Sequence, residues 1–376
     1  MTLPEILRTA LAFLVVIGPL IFLHELGHYL VGRWCGVKAE AFSIGFGKEL
    51  FAWVDKRGTR WRVAALPLGG YVRFKGDMNA ASVTDPAWLE MPAKERAECF
   101  PGKPVWQRAA IVFAGPAVNF LIAVLILGGL AWWAGDASSP PVVGAVAPAS
   151  AAQKAGLKPG DRIVSIMGRD IGEFSDIART VVLRPAEPLL YRIQRGGRTF
   201  EQTIIAGTRY EEDRFGNRFA LGQLGVASAK PVVRPVAFTE IPAIGWHRSS
   251  QMLVNTLDGL GQIITGRRSV KEVGGPLKMV QISGEMLAAG IPSLLVLAAF
   301  ISINLAFINL LPIPTLDGGH LLFYGVEAIQ RRPVSPNVQE WAYRGGLAFL
   351  LTIMIMVTFN DLSFFGIWRG LSGLIG

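Results

Sequence analysis

The sequence predicts a multi-pass α-helical membrane protein with four transmembrane helices, a membrane-associated β region and one compact β-rich domain outside the bilayer. Three observations predict it. Four apolar runs, roughly 10–31, 109–133, 291–311 and 346–365, each reach the ~20 residues that cross a bilayer. Hydrophobic residues make up 51% of the 376 and the mean hydropathy is +0.40, yet 17% are charged, so part of the chain must meet water. Between the second and third runs, short alternating segments and Gly-Asp turns replace apolar sequence.

Residues 1–34 supply the first helix and its ionisable groups. Phe22-Leu23-His24-Glu25-Leu26-Gly27-His28-Tyr29 is a His-Glu-x-x-His pattern inside an apolar run. Residues four apart share a helix face, so His24 and His28 can hold one metal ion while Glu25 projects beside it. Such pairs also arise by chance and merely hydrogen-bond. Here, however, two of the four His in the chain sit with a Glu at a depth where ionisable groups are costly and mark function. Zn2+ held by two His and one carboxylate keeps a position for water, and a neighbouring Glu can take that water's proton during attack on a carbonyl. The expected chemistry is amide hydrolysis with Glu25 as base. The run's length, its ionisable residues and the lack of an Ala-x-Ala-like site predict a retained helix rather than a cleaved leader.

Residues 35–108 read as a cytoplasmic loop with strands. Segments 42–47 and 61–66 flank a turn at Asp55-Lys56-Arg57-Gly58, and 68–74 follows. An open edge of such a sheet could pair with an unwound substrate. Cys35 and Cys99 are the only cysteines, so no disulfide framework is implied. In the second helix, 109–134, Gly115 and Pro116 read as close helix packing. Asn119 there, and Asn309 later, can bond a neighbour, orient substrate or support the ligands.

The net charge of +9 is dispersed and flanks apolar runs, which excludes a nucleic-acid surface and predicts membrane anchoring instead. Arg33, Lys38, Lys103 and Arg108 put the first loop in the cytoplasm, and Arg331, Arg332 and Arg344 put the loop between helices three and four there too. Both termini and the segment 135–290 then lie on the outer face. Within it, 135–228 is the β-rich domain. Residues 229–290 follow as an amphipathic helical region, notably Ile244 to Ile264, resting on the membrane surface or on that domain.

The third ligand comes from depth. His24 and His28 lie about 14 and 8 Å inside the cytoplasmic end, at 1.5 Å per residue before Arg33. The third helix, in the segment 291–320, reaches the same face where Asn309-Leu310-Leu311-Pro312-Ile313-Pro314-Thr315-Leu316-Asp317-Gly318-Gly319-His320 breaks the apolar run. Irregular backbone at that depth is tolerated only around protein or a water cavity. Asp317 therefore arrives level with the two His as the expected ligand, with His320 a lower-ranked rival. His247 lies too far out. Residues 321–376 supply the last loop and helix.

These residues together resemble the site-2 family of intramembrane zinc metalloproteases, and within it the bacterial regulator of sigma-E proteases. The His24–His28 pattern matches one family motif, and Asn309 to Gly319 matches Asn-x-x-Pro-x-Pro-x-Leu-Asp-Gly-Gly. The resemblance implies zinc on His24, His28 and Asp317, Glu25 as base, and an inner-membrane location with the active site near the cytoplasmic face and the termini periplasmic. It also implies substrate handling by Asn309 and by the β region, where Gly45, Gly69 and Gly70 stand with Asn119 as further candidates. Gly156 to Asp161 resembles the signature turn of a PDZ domain that would take a peptide terminus, and Val273 to Leu277 resembles a motif before the third helix. One such turn is present where well-known relatives carry two PDZ domains. The expected partners are the lipid bilayer and single-pass membrane proteins, such as a pre-cleaved anti-sigma factor or remnant signal peptides.

Two other classes compete. A PDZ-bearing scaffold with a closed structural site would need four protein ligands and no free base. A metal transporter would line a path with the same His and Asp, but the four segments show no internal repeat.

Overall fold

The computed structural model describes residues 3–77, 86–212, 218–230, 232–265 and 274–364. In chain order these form α1 (Leu3–Trp34), β1 (Ala39–Val54), β2 (Arg60–Phe74), α2 (Ala93–Arg96), α3 (Val105–Ala134), β3 (Asp136–Ser138), β4 (Val143–Val146), α4 (Ala151–Lys154), β5 (Arg162–Ile166), β6 (Arg169–Asp170), α5 (Phe174–Val182), β7 (Pro188–Arg195), β8 (Arg198–Ile205), β9 (Gly207–Glu212), β10 (Arg218–Gln223), β11 (Val226–Ser228), β12 (Val232–Arg234), α6 (Ile241–Ile264), α7 (Pro276–Ala288), α8 (Ile291–Asn309), α9 (Asp317–Gln330) and α10 (Pro336–Phe364). They fall into two compact units, residues 1–130 with 239–376, and residues 131–238.

In the first unit, four helices are long and apolar enough to cross a membrane: Leu7–Trp34, Val105–Ala134, Ile291–Asn309 and Asn337–Leu362. All four expected runs are therefore helical. Their ends differ from the apolar runs for physical reasons. Pro312 disfavours helical backbone at Leu311, so α8 stops at Asn309. The last helix starts ten residues before the run at 346, because Asn337, Gln339, Glu340 and Arg344 are tolerated in a helix that extends into a polar region.

Side-chain packing joins these helices. Val16 and Leu20 of α1 meet Leu294, Leu297, Ala298 and Ile301 of α8. The amphipathic stretch expected from Ile244 is α6, and it packs on α3 and α8. Gly245 lies where a Cβ would strike the Val124 carbonyl, Gly128 where one would strike that of Ile241, and Trp246 meets Phe120 edge-on at 5.2 Å. Met252 and Leu253 reach Ala299 and Ile303. Helix α7 lies along the first half of α1, with Gly284 against Thr9. The amino end of α7 is capped from afar. Asp361 of α10 accepts from the N–H of Gly275 at 2.8 Å, Leu277 at 3.0 Å and Lys278 at 3.2 Å. Of the motif expected at 273–277, Val273 lies outside the described residues.

β1 and β2 pair antiparallel and curl on themselves. Ala41–Ile44 has partners on both sides, running from Arg73 to Gly70 and from Arg60 to Val63. Gly45 permits the bend: its φ is +88°, and a Cβ there would lie 2.8 Å from the Leu66 carbonyl oxygen. The sheet is fixed to α1 by aromatic packing, with Phe42 stacked on Trp61 at 4.3 Å and Tyr29 edge-on to both. Cys35 and Cys99 are free thiols.

The second unit is a small β fold. β5, β6, β7 and β8 form one sheet in the order β6-β5-β7-β8, beside the pairs β4–β11, β9–β10 and β3–β12. Alternation builds its core: Leu189, Tyr191 and Ile193 point inward from β7 and meet Ile163, Ile166, Ile177, Val181 and Ile204. The turn Gly156-Leu157-Lys158-Pro159-Gly160-Asp161 needs its glycines, with φ of +71° and +93°. It ends on Asp161, which is wholly buried. Arg195 donates Nε and Nη2 to its two oxygens, both at 2.6 Å, and the Lys158 N–H donates at 2.8 Å. Burial pushes this carboxyl up, but the Arg195 fork and the Lys158 N–H outweigh it and hold the group below its ordinary value.

Candidate metal centre

Helix α1 carries His24, Glu25 and His28 at about 8–9% exposure each. One turn of helix sets the two imidazoles on one face, with Nε2 atoms 3.2 Å apart. Asp317 opens α9. The Pro312-Ile313-Pro314 break reverses the chain, and Gly318 and Gly319 make the reversal tight, since a Cβ at either would strike the backbone of residues 310–314. Asp317 Oδ2 thereby reaches 3.3 Å from His24 Nε2 and 3.5 Å from His28 Nε2. Among the described residues this is the His, Cys and carboxylate group that could hold a metal.

The spacing suits zinc. Ligand bonds of about 2.0–2.1 Å at tetrahedral angles place neighbouring ligand atoms about 3.3–3.4 Å apart. The protonation pattern suits it too. His28 Nδ1 lies 2.9 Å from the Ile111 carbonyl, which only accepts, so a proton sits on Nδ1 and, in the neutral ring, Nε2 presents a lone pair. Asp317 Oδ2, buried and without a hydrogen bond of good geometry, faces that nitrogen, lone pair to lone pair when the ring is neutral. Two such lone pairs need a cation between them.

A cavity of about 200 Å³ opens onto the three atoms and is lined also by Glu25, Gly70, Asn309 and His320. Gly70 lets the sheet approach, because a Cβ there would lie 2.8 Å from Glu25 Cγ. Of the expected residues, His24, Glu25, His28, Asp317, Asn309 and Gly70 meet at this cavity. Gly45 and Gly69 stand back from it: Gly45 forms the bend in β1, and Gly69 accommodates the Phe46 ring. Asn119 is also off the cavity, wholly buried behind His24 with its amide 3.2 Å from Nδ1. His320 lines the cavity outside the ligand set, and its Nδ1 pairs with the Tyr343 hydroxyl at 3.2 Å.

Of the support behind the candidate ligands, sequence reasoning offered Asn119 as one of three possible roles and missed Ile111 and the part played by Gly115. Ile111, Gly115 and Asn119 recur every four residues along one face of α3, against both His. Gly115 does serve close packing, as its motif suggested, but what packs there is the pair of imidazoles: a Cβ at 115 would collide with His28 Nε2. Gly115-Pro116 and Asn119 were the available signals.

Comparison with known proteins gives the family. Residues 12–353 match peptidase family M50. A protein of Rhizobium meliloti named a zinc metalloprotease is 44% identical over 93% of this chain and 95% of its own length. One of Agrobacterium fabrum with the same description is 42% identical over 93% of this chain and 94% of its own. Metalloprotease MmpA of Caulobacter vibrioides is 37% identical over 96% and 97%. With the donor set, the spacing and the match along most of its length, the chain belongs to peptidase family M50, the site-2 protease family, as a membrane-associated zinc metalloendopeptidase.

Proposed function

We propose that this protease cleaves single-pass membrane proteins within or near their membrane segment, with His24, His28 and Asp317 as zinc ligands and Glu25 as general base. The observation that carries the reading is the convergence of three ligand atoms, 3.2–3.5 Å apart, with Glu25 on a shared cavity. When bound, zinc supplies Lewis acidity toward the scissile carbonyl and lowers the pKa of water toward neutrality. Glu25 takes the water's proton on its carboxylate and delivers it to the departing amine. A helical substrate must first unwind, because its carbonyls are otherwise bonded within the helix. Gly70–Arg73 suits that need: among the described residues it has a strand partner on one side only, and Gly70 lies beside Glu25. Asn309, at the cavity wall, is placed to bond an unwound main chain.

The basic residues at the ends of the apolar helices support an inner-membrane topology with periplasmic termini and the active site toward the cytoplasm. The second unit, with one Gly-Leu-Lys-Pro-Gly-Asp turn, reads as a single periplasmic PDZ domain for a peptide terminus. By family resemblance the substrates include an anti-sigma factor already shortened by another protease, in a sigma-E-type stress response, and remnant signal peptides. The test is Glu25→Gln in purified full-length protein reconstituted in liposomes. Zinc should be kept while cleavage of a model single-pass substrate falls about 10²–10⁴-fold. A wild type that binds zinc yet cleaves none of several helix-destabilised substrates would return the scaffold and transporter readings.

A further inference from the structure

Asn119 is chemically mismatched as a mere packing residue. It is wholly buried in α3, its backbone carbonyl accepts from Ser302 Oγ at 2.7 Å, and its amide lies 3.2 Å from His24 Nδ1. With Nδ2 toward His24, Asn119 donates, Nδ1 must accept, and the imidazole proton is forced onto Nε2, the atom facing Asp317 and His28. In that orientation Oδ1 is buried without a partner. Turned by 180° about its last torsion, the same amide occupies the same space and reverses the logic. Oδ1 then accepts from Nδ1–H, gains the partner it lacked, and leaves Nε2 as a lone pair. That matches what the Ile111 carbonyl imposes on His28.

We propose that Asn119 is the positioning residue that fixes the metal-binding tautomer of His24, through a hydrogen bond accepted by Oδ1. The two His are then set by one helix face in two ways. Ile111 does it with a carbonyl that cannot change sign. Asn119 does it with a side-chain amide, whose oxygen is the end that meets Nδ1–H.

The proposal rests on the zinc reading above, and its test separates the two. Zinc affinity is measured by chelator competition on purified full-length protein for wild type, Asn119→Leu, Asn119→Asp, His24→Ala and Asp317→Ala. Asn119→Leu, which removes the acceptor, should weaken zinc binding 10–100-fold, the usual cost of losing such an outer partner. Asn119→Asp, which can only accept from Nδ1–H, should bind zinc at least as tightly as wild type. Wild-type affinity in Asn119→Leu overturns the assignment, as does Asn119→Asp being as weak as Asn119→Leu, because the amide would then act as donor or filler. Should Asn119→Leu not fold, affinity in Asn119→Asp below wild type overturns it alone. Zinc retained at wild-type affinity in His24→Ala and Asp317→Ala overturns the ligand set and this inference together.

Discussion

Asp317 Oδ2 and the Asp161 carboxylate are both buried, one in each unit, and their surroundings differ in one respect. Asp161 has donors on both oxygens, two N–H groups of Arg195 and one of Lys158. Asp317 Oδ2 takes part in no hydrogen bond of good geometry and faces two imidazole nitrogens, at 3.3 and 3.5 Å, instead. A buried acceptor that is fully matched secures its own fold. One that meets another lone pair is an unfinished arrangement, which a cation completes, and such local inconsistencies collect at functional sites. The comparison distinguishes chemistry from structure without reference to the motifs around either residue.

The sharpest way to break the comparison is to remove each carboxylate in turn. Asp317→Ala should abolish bound zinc and cleavage while leaving hydrogen exchange in β5 and β7 unchanged. Asp161→Ala should keep its zinc and weaken exchange protection in those strands by about 1–3 kcal/mol, the worth of hydrogen bonds to a charged acceptor. Zinc loss in the second variant would show that the two carboxylates are not separable.

Next in size is a pair of glycines on α3. Gly115→Ala places a methyl group against His28 Nε2 and should cost most of the bound zinc without altering any ligand. Gly129→Ala, where nothing lies within 4 Å of the new Cβ, should leave zinc content at the wild-type level. Equal zinc in both would mean that the imidazoles can shift away from α3.

The smallest effect sharpens the structural side. The Asp161 pKa is lowered by folding, so the stability it contributes is fully present above the unfolded value, about 3.9, and is lost as pH falls through the lower folded value. The stability gap between wild type and Asp161→Asn in this unit should therefore be constant near neutrality and shrink below about pH 4. Exchange protection in β5 and β7 against pH measures it. A gap that widened on acidification would reverse the sign and remove the Arg195 explanation.

Legibility in sequence followed the range of the interaction. His24, Glu25 and His28 were readable because helix spacing is a local property. Asp317, far along the chain, was readable only because helix length converts residue count to depth and the proline break falls at that depth. Of the support from α3, Asn119 was readable as one of three roles, and the rest was not. A backbone carbonyl such as that of Ile111 is offered by every residue, and the role of Gly115 depends on which helix crosses it. For the same reason the pattern of α6 announced an apolar face but not its partners on α3 and α8. The strands of the β region were visible by alternation, whereas its curl depends on a positive φ at Gly45 that pairs residues on both sides of one segment.

The Asp361 cap on α7 bears on how the molecule is made. Its carboxylate is synthesised 86 residues after the Gly275 N–H it receives. During translation the amino end of α7 therefore stays unsatisfied until the last helix has entered the bilayer. That fastening of the membrane unit can form only once Asp361 has been made, and a nascent chain arrested before it would carry His24, His28 and Asp317 while lacking it.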